Sequence, residues 1–442
     1  MGLKIAVIGG ASSYTPELFA DLLRPDSRLD VDEVALLDLD AARLELVARV
    51  SRRLLEAADH RLTIRPTLST DEAMDGADFV ILQIRVGGSQ ARIRDETLPM
   101  RFGMVGNETT GPGGFMCALR TVPVALAYAR ALERISPKAC LLNLTNPAGI
   151  VTEALLNHSS QRAIGFCNIP INLTAGLAEA LGVSIDRMRI EYFGLNHLGW
   201  VPRAYLDGQE VLGRLLVEAR NRETTLYRHE LVDSLVDPEW LRVLGMIPNW
   251  YCRYYYYPEQ VLEEDRRSEQ TDGQRDIMAD EQLRGIYQRT GYDQQAREIL
   301  AAKGGAQYYE PVLQVIDAIV HDTGALVVAD VQNGGALPDL PAGACVEVPA
   351  RFRRERTEPV PVGPMPISVR GLVQAVKAYE ELAIEAALTG DTGIAVAALV
   401  AHPLCGSYPK AKAFLDSALE AEGTLLPQFA AQRTGAGPTA TI

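Results

Sequence analysis

The chain is expected to be an α/β protein, with a doubly wound parallel sheet at its N-terminus followed by an α+β domain. Three observations carry this. Short apolar runs alternate with long helical patterns over residues 1–171, the rhythm of βαβ units. The first run, Leu3–Ile8, feeds straight into a glycine turn and a helix start. Beyond residue 172 the rhythm changes to paired strands, a charged helix-prone stretch over 208–298, then further strands and a long amphipathic helix.

Each element has a local reason. Leu3–Ile8 is nearly all apolar, as a strand covered on both faces requires. Gly9 to Tyr14 forms the turn, and Thr15-Pro16 opens a helix, because proline's missing N–H costs nothing in a first turn. Residues 33–37 form a second strand ending at Asp38, and 78–83 and 138–143 read as further buried strands. The short strand 162–166 extends the same sheet, and helical patterns at Ala41–Ala57 and 119–135 cross between strands. In the second half, 188–193, Leu198–Leu206, 325–331 and 345–348 are strand-like, and 367–388 is an amphipathic helix. The expected organisation is a nucleotide-binding domain over 1–171, a metal, substrate and oligomerisation domain over 172–431, and a disordered Gly/Thr/Ala/Pro-rich tail over 432–442.

Composition narrows the function. The formal net charge is −14 with no basic block, which argues against nucleic acid and against an anionic membrane surface. No run of ~20 apolar residues is evident, so no membrane span is expected. The six cysteines are widely spaced without a CxxC pair, as in a cytoplasmic protein whose thiols stay reduced.

The motifs point to a cofactor and a cation. Gly9 and Gly10, with Ser12 and Ser13 behind them, let backbone approach a pyrophosphate at a helix N-terminus, although the same turn also serves as an ordinary βα connection. Asp38 can bond ribose hydroxyls and repel a 2′-phosphate, favouring NAD over NADP, or it can cap the next helix. Arg85, in a glycine-containing loop with Arg92, Asp95 and Glu96, suits an anionic group or forms structural ion pairs. The glycines and hydroxyls of 106–114 are expected to pack backbone against a ligand. Asn146 either meets a polyol or caps a helix. Cys167 and His197, each just after a strand and each beside an asparagine (Asn168 and Asn196), can be core residues or two ligands of a divalent ion with open positions. The aromatic cluster 248–257 is interface packing, with one tyrosine available as a base.

In order along the chain, IGGASSYTPEL, IRVGG, GNETTGPGG, LTNPAG, CNIPIN, YFGLNH, PNWYCRYY, VQNGG and VEVP resemble glycoside hydrolase family 4, the NAD- and metal-dependent glycosidases. The resemblance implies a Rossmann-like sheet and a C-terminal domain like that of lactate and malate dehydrogenases. It implies NAD and usually Mn²⁺ as cofactors, Cys167 and His197 as metal ligands, and Tyr251 as catalytic base. Asn168 matches the 6-phospho-β-glucosidases, Arg85 lies by sugar and cofactor, and Arg275 falls near the phosphate side. The chain departs from many members at Asn107 and Cys252. The implied reaction is hydrolysis of a small phosphorylated disaccharide or aryl glycoside, by C3 oxidation, C2 deprotonation, elimination, water addition and re-reduction. A homodimer or homotetramer is expected. The alternatives are a family 4 enzyme for α-linked, unphosphorylated or uronic-acid substrates, and an NAD-dependent polyol or hydroxy-acid dehydrogenase.

Overall fold

The computed structural model describes residues 2–218, 237–305 and 307–434. Its main sheet has nine strands in the order β13-β12-β11-β6-β5-β4-β1-β2-β3. The first six are β1 Leu3–Ile8, β2 Val31–Leu37, β3 Thr63–Thr67, β4 Phe79–Leu82, β5 Cys140–Asn143 and β6 Arg162–Gly165, all parallel. β4 and β5 are buried along their whole length, which explains their unbroken apolar sequence. The expected α/β class and its parallel, doubly wound core are borne out. β3, absent from the sequence reading, sits at the sheet edge, where Pro66 is tolerated.

Strands from beyond residue 171 enlarge the same sheet. β11 Leu326–Gln332 pairs antiparallel with β6 at Asp330 and Gly165, and β12 Cys345–Phe352 and β13 Thr357–Pro359 follow antiparallel. A second sheet holds β7 Met188–Leu195, β8 Leu198–Leu206, β9 Gln209–Glu210 and β10 Ile247–Pro248. It has its own core around Leu173, Leu177, Val201, Leu215 and Ile247.

Two expectations need correction. The helix expected from residue 119 begins at Gly111 and runs to Ile135. It is long and apolar enough to cross a membrane by composition, contrary to the reading that no such run exists, but most of it is buried within the fold. Arg120 lies on its buried face, bonded to Asp95 (2.9 and 2.6 Å) and to Glu422 (3.1 Å). That ion pair ties the last long helix, Tyr408–Glu422, to the centre of the molecule. Of the expected tail, 432–434 belong to the final helix Pro427–Thr434, and 435–442 lie outside the described residues.

Candidate active site

The candidate residues of the first half gather at the C-terminal edge of the parallel strands, where open α/β sheets bind ligands. The glycine turn follows β1, Asp38 follows β2, Gln83 to Arg85 follow β4, Asn146 follows β5 and Cys167 follows β6. Because β1 lies between β2 and β4, the turn sits where the strand order reverses. Gly9 has φ +87°, and a Cβ there would collide with the Gln83 carbonyl, so only glycine fits. Gln83 Nε2 donates to the Gly9 carbonyl and to Thr15 Oγ1, both at 3.1 Å, and Tyr309 OH donates to Gln83 Oε1 at 2.6 Å. Ser12 Oγ accepts from the Tyr14 N–H at 3.3 Å. Asp38 accepts from the backbone N–H groups of Ala11 (2.9 Å), Leu39 (2.7 Å) and Asp40 (3.3 Å). Asp40, not Asp38, caps the helix Ala41–Ala57.

Cys167 and His197 come together from different sheets. His197 occupies the two-residue turn between β7 and β8 with φ 63°, a conformation uncommon outside glycine. Its Nε2 lies 3.4 Å from Cys167 Sγ and its Nδ1 lies 2.9 Å from Thr109 Oγ1. Tyr251, in the short turn Trp250–Cys252 after β10, stacks on the imidazole with ring centroids 3.9 Å apart and planes at 15°. Burial pulls the imidazole down to about 3, keeping it neutral, and pushes the Cys167 thiol and Tyr251 phenol well above their usual ranges.

This pair fits a divalent cation. Bond lengths of ~2.3 Å to thiolate and ~2.1 Å to imidazole, meeting between a right angle and the tetrahedral angle, place S and N ~3.1–3.6 Å apart. The observed 3.4 Å lies in that range. The Thr109 contact engages Nδ1 and leaves Nε2 facing the sulfur, the usual outer support of a metal-binding histidine. Among the described residues no group of three or more His, Cys, Asp or Glu side chains is arranged to hold a metal, so a cation at this pair would take its remaining ligands from water or substrate.

The remaining candidates divide. Arg85 pairs with Glu108, which also receives Arg92 Nε at 3.3 Å, and Arg92 in turn pairs with Asp276. Burial alone would raise the Glu108 carboxyl, but Arg85 and Arg92 outweigh it and hold it below the usual range. Asn168 Nδ2 donates to the Gly304 carbonyl at 2.6 Å. Asn146 is half-buried beside the pair's edge of the sheet. Arg275 is bound within its own helix start, to Gln270 O (2.7 Å), Ser268 and Asp272.

Glu108 and Thr109 were missed as individuals. The glycines around them were expected to approach a ligand, but Cβ atoms at Gly106, Gly113 and Gly114 would strike the backbone of Glu96, Asn107 and Thr109. These glycines let the chain pack on itself and so fold the polar 107–110 segment toward His197. The available signal was that segment of polar residues placed just before a buried helix.

A glycine turn at a strand-order reversal, with a Cys–His pair spaced to fit a cation, is an arrangement that suits a nucleotide- and metal-assisted enzyme. The family 4 glycosyl hydrolase profile matches residues 4–183, and the profile of that family's C-terminal domain matches 192–405. A probable 6-phospho-beta-glucosidase of Bacillus subtilis is 37% identical, over 97% of this chain and 98% of its own length. The 6-phospho-beta glucosidase of Thermotoga maritima, solved with manganese, NAD+ and glucose-6-phosphate, superposes with a TM-score of 0.86 at 30% identity, covering 96% of this chain and 99% of that one. A 6-phospho-alpha-glucosidase of Lacticaseibacillus paracasei is 30% identical over 87% of this chain and 89% of its own. The chain belongs to glycosyl hydrolase family 4 and is a glycoside hydrolase. Malate dehydrogenase of Plasmodium falciparum, at 14% identity and a TM-score of 0.50 over 87% of this chain and 98% of its own, shares the fold, in line with the expected dehydrogenase-like C-terminal domain.

Proposed function

We propose that the chain hydrolyses 6-phospho-β-glucosides, using NAD bound at Gly9, Gly10, Ser12, Ser13 and Asp38, and Mn²⁺ or another divalent cation held by Cys167 and His197. The observation that carries this is the convergence of Cys167 Sγ and His197 Nε2 at 3.4 Å beneath the Tyr251 ring. When bound, NAD supplies a reversible hydride acceptor for C3 of the sugar, and the cation supplies Lewis acidity toward the adjacent oxygens and a positive field that lowers the Tyr251 phenol. Tyr251 is the base for the C2 proton. Thr109 fixes the imidazole, and the stacked Tyr251 ring keeps bulk water off one face of it. Loss of the aglycone by elimination, addition of water at C1 with reprotonation at C2, and return of the hydride to C3 then complete hydrolysis without net oxidation.

Arg85, Asn146, Asn168 and Arg275 are the proposed substrate contacts. Arg85 pairs with Glu108, the neighbour of the Thr109 that holds His197, and Arg275 must leave Asp272 to reach a phosphate. The β preference rests on Asn168. Work in the cytoplasm as a homodimer or homotetramer goes with this reading.

The test is nitrophenol release from 4-nitrophenyl 6-phospho-β-D-glucoside with NAD⁺ and Mn²⁺, beside the α-anomer and the unphosphorylated β-glucoside. Turnover of the phosphorylated β substrate, lost on chelation or on NAD removal, is expected. Turnover of only another glycoside would overturn the substrate. Steady NADH accumulation from simple polyols, with no glycoside cleaved, would overturn the hydrolytic reading.

A further inference from the structure

A cavity of about 240 Å³ opens beside the glycine turn, between the helices Ala41–Ala57 and Asp272–Arg289. Ser13, Asp40, Arg43 and Asp280 are among its walls. In dinucleotide folds the acid ending the second strand faces the adenosine ribose, and an arginine nearby accommodates a 2′-phosphate. This chain carries both, in Asp38 and Arg43. Asp38 is already bonded to three backbone N–H groups, so it is a weak guard on its own. Arg43 is engaged instead by a carboxylate from the far half of the chain: its Nη2 lies 3.4 Å from Asp280 Oδ2. Asp280 Oδ1 also accepts from Ser13 Oγ at 2.8 Å and from Lys303 Nζ at 2.6 Å. A hydroxyl of the glycine turn and two cations thus converge on Asp280, a set that a phosphate group would otherwise attract.

We infer that Asp280 is a specificity-determining residue for the cofactor, excluding the 2′-phosphate of NADP by engaging Arg43 and Lys303 and by placing its own charge beside the ribose. This rests on the reading of the glycine turn as the NAD site. Neutralising Asp280 removes a like charge from the 2′-phosphate and frees two cations for it, which at these distances and partial exposure favours NADP⁺ by roughly tenfold or more.

The experiment is fluorescence titration of the full-length protein with NAD⁺ and with NADP⁺, for wild type, Asp280→Asn, and Asp280→Asn combined with Arg43→Ala. The NADP⁺:NAD⁺ affinity ratio is expected to rise roughly tenfold or more in Asp280→Asn and to fall in part when Arg43 is also removed, Lys303 and the lost charge carrying the rest. An unchanged ratio, or a gain undiminished by loss of Arg43, overturns the inference while leaving NAD binding intact. A folded wild type that binds neither dinucleotide overturns the cofactor reading, and this inference with it. If thermal melting shows that Asp280→Asn does not fold, Asp280→Ser is read by the same ratio.

Discussion

The glycine turn and the Cys167–His197 pair lie along one edge of the molecule but are held in place by different means. The turn's backbone shape is largely local: β1, six residues and a helix start set it, fastened by the Gln83 side chain just past the neighbouring strand, while Ser13 near its end is bonded to Asp280 and Tyr287 of the second half. The pair is distributed: Cys167 comes from the main sheet, His197 from the second sheet, Thr109 from a folded-back loop and Tyr251 from a turn after β10. A local device tolerates distant change and fails when its own backbone is altered. A distributed one fails when any of its supports is removed.

Mutations can break that contrast, in descending order of effect. Tyr251→Phe is expected to lower kcat by roughly 10²–10⁴-fold, the usual contribution of a positioned base, with an unchanged far-UV spectrum. A loss under tenfold would remove Tyr251 from the proposed role. Arg120→Ala leaves Asp95 and Glu422 facing each other in the core and is expected to cost about 3–5 kcal/mol in denaturant titration. Arg120 Nε also donates to the Val86 carbonyl (3.4 Å) in the loop after β4, so the loss is expected to reach that loop as well. Gly9→Ala, at φ +87° against the Gln83 carbonyl, is expected to cost about 1–3 kcal/mol and to weaken dinucleotide binding while sparing metal affinity. Equal loss of both would show that the turn is not a separate device. Thr109→Val is expected to weaken metal affinity about 10–100-fold, read by titration calorimetry, with dinucleotide binding retained.

The smallest effect is one of pH. Lys303, Arg43 and Ser13 overcome burial and hold Asp280 below the usual carboxylate range. Its contribution to stability is therefore present above the unfolded carboxylate pKa of about 4 and is lost as pH falls through the lower folded value. Asp280→Asn should flatten the acid limb of the Tm–pH curve below about pH 4, and an unchanged limb would show that the Lys303 contact contributes nothing measurable.

The same contrast explains what could be read from the sequence. β1, β8 and the helix Ala41–Ala57 match their sequence-derived bounds because their apolar periodicity is a property of contiguous residues. β3 was lost because Thr63, Arg65 and Pro66 interrupt its apolar run, as an edge position permits. Glycines 113 and 114 read as ligand loop, yet they belong to a helix, since what they approach is the chain's own backbone; Gly111, at φ +69°, opens that helix against the Leu404 and His402 side chains. Cys167 and His197 were visible as strand-end residues. Their 3.4 Å separation was not, because it depends on how the second sheet docks on the first. Glu108 and Asp280 were invisible as site residues, since their partners are set by tertiary contact alone.

The antiparallel addition of β11 to β6 has a consequence for how the molecule can be divided. The contact at Gly165 and Asp330 covers what would be an open flank of the parallel sheet. Cut at the proposed boundary near residue 171, the first segment would present the unpaired backbone of β6 to any neighbouring chain, a template for self-association. The N-terminal half is thus not a portable module: its sheet edge is covered by residues that arrive more than a hundred positions later.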